Sequence, residues 1–121
     1  MLKICTVQLA VLTVITALFF AGFIWDLYET VWWWDIVLHF LGGLWIGMWV
    51  IGLSRIQKIK LDYKIIISLV FAVGFAWEVF EYFLGIGGSA FMSYRLDTAK
   101  DLLNDCLGAW ASISVAKKLK I

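Results

Sequence analysis

The stretch ICTVQLAVLTVITALFFAGFI, residues 4–24, decides the fold class. It contains no acidic or basic side chain. An α-helix rises about 1.5 Å per residue, so a run of this length covers the roughly 30 Å hydrocarbon core of a bilayer. The apolar segment of a signal peptide is shorter, and we therefore interpret this stretch as a first membrane span rather than a cleaved leader.

The composition of the whole chain supports a membrane protein. Its 121 residues are 64% hydrophobic and 16% charged, with a mean hydropathy of +0.94. A soluble domain is nearer 45 to 50% apolar and about 25% charged, so the composition excludes a disordered chain and a coiled coil and favours an integral membrane protein over a water-soluble globule. The net charge of +1 gives no broad basic face, and nucleic acid is not an expected partner.

Three further segments, about residues 34–54, 64–85 and 97–117, are long enough to cross a bilayer. The last has charged residues in its first half, so it must be buried against the other helices; we expect Asp97 and Thr98 to open it. The chain contains no proline, and unbroken helices satisfy the backbone in lipid most simply. The expected fold is an all-α integral membrane four-helix bundle, with residues 1–121 as a single transmembrane domain.

The distribution of charge predicts an orientation. Cations gather at Arg55 to Lys64 and at Lys117 to Lys120, whereas the first loop, Trp25 to Thr30, carries only acidic charges. Cytoplasmic loops are rich in Lys and Arg, so both termini are expected in the cytoplasm of a multi-pass protein of the inner or plasma membrane. An outer aromatic belt is then formed by Trp25, Tyr28 and the run Trp32 to Trp34. The alternative interpretation of the tryptophan run is a platform that binds carbohydrate or another ligand.

Ionisable residues inside the predicted spans lie at one depth. Helical rise places all of them within roughly 12 Å of the outer surface, and spacings of three or four residues give each helix one polar stripe. They are Asp35, His39, Glu78, Glu81, Asp97, Asp101 and Asp105. Taken singly, Asp35 is typical of a helix cap and His39 of a packing residue, but together they predict a functional site.

The carboxylates outnumber the nearby cations, Arg95 and Lys100. Like charges at low dielectric cannot all stay ionised, so the site must hold protons or metal cations. Carboxylates with one imidazole suit a divalent ion such as Zn, Mn, Fe or Mg. The expected metal ligands are Asp35, His39, Glu78, Asp97 and Asp101; the expected catalytic bases are Glu81 and Asp105; the expected substrate contacts are Arg95, Lys100 and Asn104.

Three functions are compatible with this pattern. The first is a metal-dependent membrane hydrolase or transferase that acts on membrane lipid or a lipid-linked anionic substrate. The second is a small ion- or proton-conducting transporter or channel that uses the same carboxylates. The third is a non-catalytic membrane subunit. A homo-oligomer could form through the small residues Gly43 and Gly47.

Three blocks of sequence carry a family resemblance. They are Asp35 with His39-Phe40, Glu78 with Glu81, and Arg95, Asp97, Asp101, Asn104 and Gly108. In order and spacing they resemble the VanZ-like superfamily of small bacterial integral membrane proteins, over about residues 32–110. The resemblance implies a bacterial-type cell-envelope protein with this polar constellation, and it does not imply a reaction. Span one carries none of the pattern, and Ile36 and Glu81 depart from it.

Overall fold

The computed structural model describes residues 1–121, which form helices and no strand. Four long helices are joined by short connections, and a single-turn helix lies in the first loop. Their bounds are α1 Leu2–Ile24, α2 Leu27–Thr30, α3 Trp34–Ile56, α4 Tyr63–Leu84 and α5 Tyr94–Lys118. The all-helical expectation is confirmed, and α2 is an element that the sequence pattern did not predict.

Three of the helices, α1, α3 and α4, are long and apolar enough to cross a membrane. Helix α5 is also long enough to cross a membrane, but its charged side chains make it less apolar than the other three. Large apolar residues cover the outside of the molecule: Leu9 on α1, Phe83 on α4 and Trp110 on α5 are all more than 60% exposed. Such a surface suits contact with lipid.

Contacts along the helices give their relative directions. Helix α1 is antiparallel to α3, because Gln8 contacts Trp45 while Trp34 contacts Leu18. Helices α3 and α5 run parallel and share the most extensive interface, with α4 antiparallel to α5. The Lys3 ammonium donates to the carbonyl of Leu119, so both chain ends lie at the same end of the molecule.

Glycines allow α3 and α5 to approach at backbone distance. A Cβ added to Gly43 would overlap the backbone of Asp105, and one added to Gly108 would overlap the Phe40 carbonyl. A Cβ on Gly47 would overlap the Ser112 hydroxyl. Small residues therefore bring α3 and α5 together. The Gly43 and Gly47 face that was considered for dimerisation is buried within the chain.

The helix ends follow local sequence. The Ser93 hydroxyl accepts from the Leu96 amide at 3.4 Å, so α5 begins at Tyr94 and the expectation that Asp97 opens it was wrong. Asp97 lies in the first turn with its side chain buried. Helix α4 ends where Gly85 adopts a φ of 66°, a left-handed conformation that glycine adopts without steric cost.

The half of the molecule near the chain ends has an apolar core. Met48, Ile51, Ile66 and Ala116 form it, with contributions from three helices. The buried side chain of Gln8 donates to the Trp45 carbonyl, and the Trp45 indole donates to the Gln8 carbonyl. The opposite half holds the acidic residues, so polar and apolar packing are segregated along the helix axes.

Candidate functional site

Parallel packing of α3 and α5 brings four of the predicted residues together. On α3, Asp35 and His39 are four residues apart and share one face; on α5, Asp101 and Asp105 do the same. The side chains of His39, Asp101 and Asp105 are 13%, 3% and 9% exposed, whereas that of Asp35 is 30% exposed. The cluster therefore has a buried base and a partly open side at Asp35.

The His39 ring uses its two nitrogens differently. Nδ1 lies 3.1 Å from Oδ1 of Asp105, within hydrogen-bond distance. Nε2 lies 3.6 Å from Oδ1 of Asp35 and 3.5 Å from Oδ2 of Asp101. With an ionised Asp105 the proton lies on Nδ1. Nε2 then directs a lone pair (neutral ring) or an N–H (protonated ring) toward the two carboxylate oxygens.

Lys100 forms ion pairs with the remaining oxygens of Asp35 and Asp101, and with Asp97. Its Nζ lies 3.1 Å from Oδ2 of Asp35, 3.1 Å from Oδ1 of Asp101 and 2.9 Å from Oδ1 of Asp97. Asp35 and Asp101 thus each present one oxygen to Lys100 and the other to His39. Lys100 was expected to contact substrate, and here it is the counter-ion of three carboxylates.

Glu78 of α4 contributes a buried carboxylate beside the cluster. Its Oε2 accepts from the Thr98 hydroxyl at 3.2 Å, whereas Oε1 is buried without a hydrogen-bond partner. Glu81, one turn further on, is half-buried near Gly87 and the Tyr94 hydroxyl. The two glutamates lie at the edge of the cluster rather than against the Nε2 face of His39.

The remaining predicted substrate contacts lie elsewhere. Arg95 is exposed and makes no ion pair. Asn104 donates from its amide to the Lys100 carbonyl one turn earlier, so it bonds to its own helix. Cys5 and Cys106 are both free thiols.

Three side chains have the spacing of a metal site. One ligand atom each from Asp35, His39 and Asp101 lies within 4.8 Å of the others. In a tetrahedral site with metal–ligand bonds of about 2.1 Å, neighbouring ligands are about 3.4 Å apart. The 3.5 and 3.6 Å separations around Nε2 come close to that value. Asp97 and Glu78, two other expected ligands, are outside this group of three.

A surface cavity of about 360 Å³ lies at the same end of the molecule. Glu29, Tyr94 and the loop residues 87–90 line it, and none of these belongs to the acidic cluster. The acidic cluster and this cavity are therefore separate features.

Three residues that were not among the expected site residues also bear on the cluster. Burial, with the charges of Asp35 and Glu81, raises the pKa of Tyr28 to about 12, so its phenol keeps its proton beside the cluster at neutral pH. The absence of a side chain at Gly74 leaves room for the Asp105 carboxylate, because a Cβ at residue 74 would overlap its Oδ2. Thr98 binds Glu78. Tyr28 was interpreted only as part of the aromatic belt, and no spacing rule identifies a partner on another helix.

Comparison with known proteins gives one result that covers nearly the whole chain. No curated protein and no solved structure matches the chain significantly. Residues 4–120 match the model of a family described as "Predicted membrane protein (DUF2238)". The three apolar helices and the exposed apolar surface agree with that description. The chain therefore belongs to this family of predicted membrane proteins.

Proposed function

We propose that Asp35, His39 and Asp101 bind one divalent metal ion, and that the protein is a metal-dependent membrane hydrolase or transferase. The observation that carries the proposal is that the two ring nitrogens of His39 face different carboxylates. Nδ1 contacts Asp105 at 3.1 Å, while Nε2 faces one oxygen each of Asp35 and Asp101 at 3.6 and 3.5 Å. Metal-ligating histidines commonly have this carboxylate partner behind the ring.

The surroundings of the three ligands support the same proposal. Asp105 would orient the imidazole and raise its basicity, and Lys100 would fix the orientation of both ligand carboxylates. Two carboxylates and one imidazole are ligands that Zn, Mn and Fe accept; Mg would need additional oxygen ligands. Asp97, paired with Lys100 at 2.9 Å, would act through that ammonium rather than on the metal.

Three protein ligands leave a coordination position for water or substrate, as in catalytic metal sites. The ion would polarise a phosphoryl or carbonyl oxygen, and Glu78 or Glu81 at the edge of the cluster would accept a proton. Asp35 is the most exposed ligand, so substrate would enter from its side. An entrance near the bilayer surface suits a lipid or a lipid-linked anionic substrate, with exposed Arg95 available to its head group.

The membrane arrangement is part of the proposal. Helix α5 would be a fourth span whose charged residues are covered by α3 and α4, which completes a four-helix bundle. Eight of the ten Lys and Arg residues lie at the end that holds both termini, with Asp62 as the one acidic side chain there. This end would face the cytoplasm. The resemblance of the three polar blocks to the VanZ-like superfamily supports a place in the inner or plasma membrane.

Cysteine labelling tests the orientation. In a variant without Cys5 and Cys106, a cysteine introduced as Ser89→Cys should react with a membrane-impermeant maleimide in intact cells. The matched Lys58→Cys variant should react only after the cells are permeabilised. The opposite pattern would overturn the cytoplasmic assignment of the termini.

An activity assay tests the reaction class. We expect purified protein in mixed micelles to release phosphate from phosphatidate or from lipid-linked diphosphates, and a chelator should stop this release. The His39→Ala and Asp101→Ala variants should be inserted but inactive. Full activity in both variants would refute the assigned ligands.

Lys100 supports a second candidate, a non-catalytic subunit locked by its own charges. Its ammonium already lies within 3.1 Å of three carboxylates, and a protonated His39 would balance more of the negative charge. In that case the cluster would bind no metal. A conducting path has less support, because the apolar core of Met48, Ile51, Ile66 and Ala116 closes the other half of the bundle.

A further inference from the structure

The end of the molecule opposite the acidic cluster has an open surface groove. It lies between the start of α1 and the last residues of the chain and has a volume of about 320 Å³. Leu2, Thr6, Val7 and Leu119 line it, and Lys3 is its cation. The groove therefore combines an apolar wall with a positive charge at the chain-end rim.

The Lys3 ammonium remains available to a ligand. It donates to the Leu119 carbonyl at 3.3 Å, which uses one of its three donors. Lys117, Lys118 and Lys120 follow in the neighbouring chain segment and are exposed. None of these four lysines forms an ion pair, because all six ion pairs of the molecule lie in the acidic cluster.

We infer that this groove binds an anionic phospholipid, with an acyl chain along Leu2, Thr6 and Val7 and the phosphate head group at Lys3 and Lys120. Charge complementarity selects the anion, since the lysines here form no ion pair and Asp62 is the one acidic side chain at this end of the molecule. The apolar wall selects a lipid over a free phosphate. Exposed Leu2 lies beside Lys3, as expected at the depth where hydrocarbon meets head groups. The inference is independent of the metal site.

Native mass spectrometry of the detergent-purified full chain tests this inference. Phosphatidylglycerol should form a one-to-one adduct at concentrations where phosphatidylcholine forms none. Substituting both Lys3→Gln and Lys120→Gln should weaken phosphatidylglycerol binding about thirtyfold, since a lysine near an anionic surface contributes about a factor of five. The matched variant with Lys58→Gln and Lys60→Gln changes the charge at the same end of the molecule and should keep the adduct.

Two further measurements distinguish lipid binding in the groove from a general attraction between anionic lipid and the lysines. Thr6→Trp fills the apolar wall without changing charge and should also remove the adduct, whereas inorganic phosphate should not compete with the lipid. Equal binding of both lipids would overturn the inference. So would equal losses in the groove and loop variants, or an unchanged adduct in Thr6→Trp.

Discussion

His39 on α3 and Asp105 on α5 are joined at 3.1 Å between Nδ1 and Oδ1, across an interface in which the two helices touch at backbone distance. Gly43 is one turn beyond His39 and packs on the backbone of Asp105 itself. The distance between these two side chains is therefore set by the glycine contact. Helix packing and the chemistry of the cluster depend on the same few residues.

Replacing Asp105 tests the role of the residue behind the imidazole. Asp105→Asn keeps the size of the side chain and an acceptor oxygen but removes the charge that raises the basicity of His39. We expect metal affinity to fall about 10- to 100-fold while the protein stays folded. Competition with a chelating dye in detergent measures this. Asp26→Asn, at an exposed left-handed position that asparagine tolerates, is the control and should keep full affinity.

Adding one methyl group to Gly43 tests the close approach of α3 and α5. Gly43→Ala would force its Cβ into the backbone of Asp105, so we expect a loss of about 1 to 3 kcal/mol in the free energy of unfolding. Gly42 is the adjacent residue and has open space at its Cβ position, so Gly42→Ala should not destabilise the protein. Thermal unfolding in detergent compares the two. Equal stability of both variants would argue against this interface.

A substitution at Gly74 tests the contact between α4 and Asp105 without changing a polar residue. The Cβ of Gly74→Ala would overlap Oδ2 of Asp105 and displace that carboxylate from His39. The loss of metal affinity should approach that of Asp105→Asn. Val73→Ala, on the exposed side of α4, serves as the control and should bind metal normally. An unaffected Gly74→Ala variant would count against Asp105 as the group that orients His39.

Removing Lys100 tests the balance of charge. Lys100→Met leaves Asp35, Asp97 and Asp101 without their shared ammonium, and breaking such a buried ionic group costs about 3 kcal/mol. We expect a lower unfolding temperature in the presence of a chelator, with partial recovery on adding a divalent ion. Arg95→Gln removes an exposed, unpaired cation and should change little. A Lys100→Met protein as stable as wild type would exclude Lys100 as the main counter-ion.

Much of the helical organisation could be predicted because lipid allows few alternatives. The uncharged run at residues 4–24 requires a helix of membrane length, and residues 2–24 form α1. Spacings of four residues correctly placed Asp35 with His39 and Asp101 with Asp105. These inferences depend only on helical period and rise.

What could not be predicted depends on the angle and register between helices. The sequence does not specify that α3 and α5 are the closest pair, so five metal ligands were expected where the structure groups three. Lys100 was assigned to substrate as a cation near the acidic residues, and its ion pair with Asp35 depends on how α3 packs against α5. Ser93 was overlooked as the cap of α5, since Asp97 also has a side chain suited to capping.

Elemental analysis of the detergent-purified protein by mass spectrometry tests the central claim most directly. We predict one equivalent of a divalent metal in the wild type, and loss of that metal when both His39→Ala and Asp101→Ala are present. Absence of metal in the wild type, even after reconstitution with Zn, Mn, Fe and Mg, would contradict the proposed metal site. The cluster would then be a group of balanced charges that stabilises helix packing.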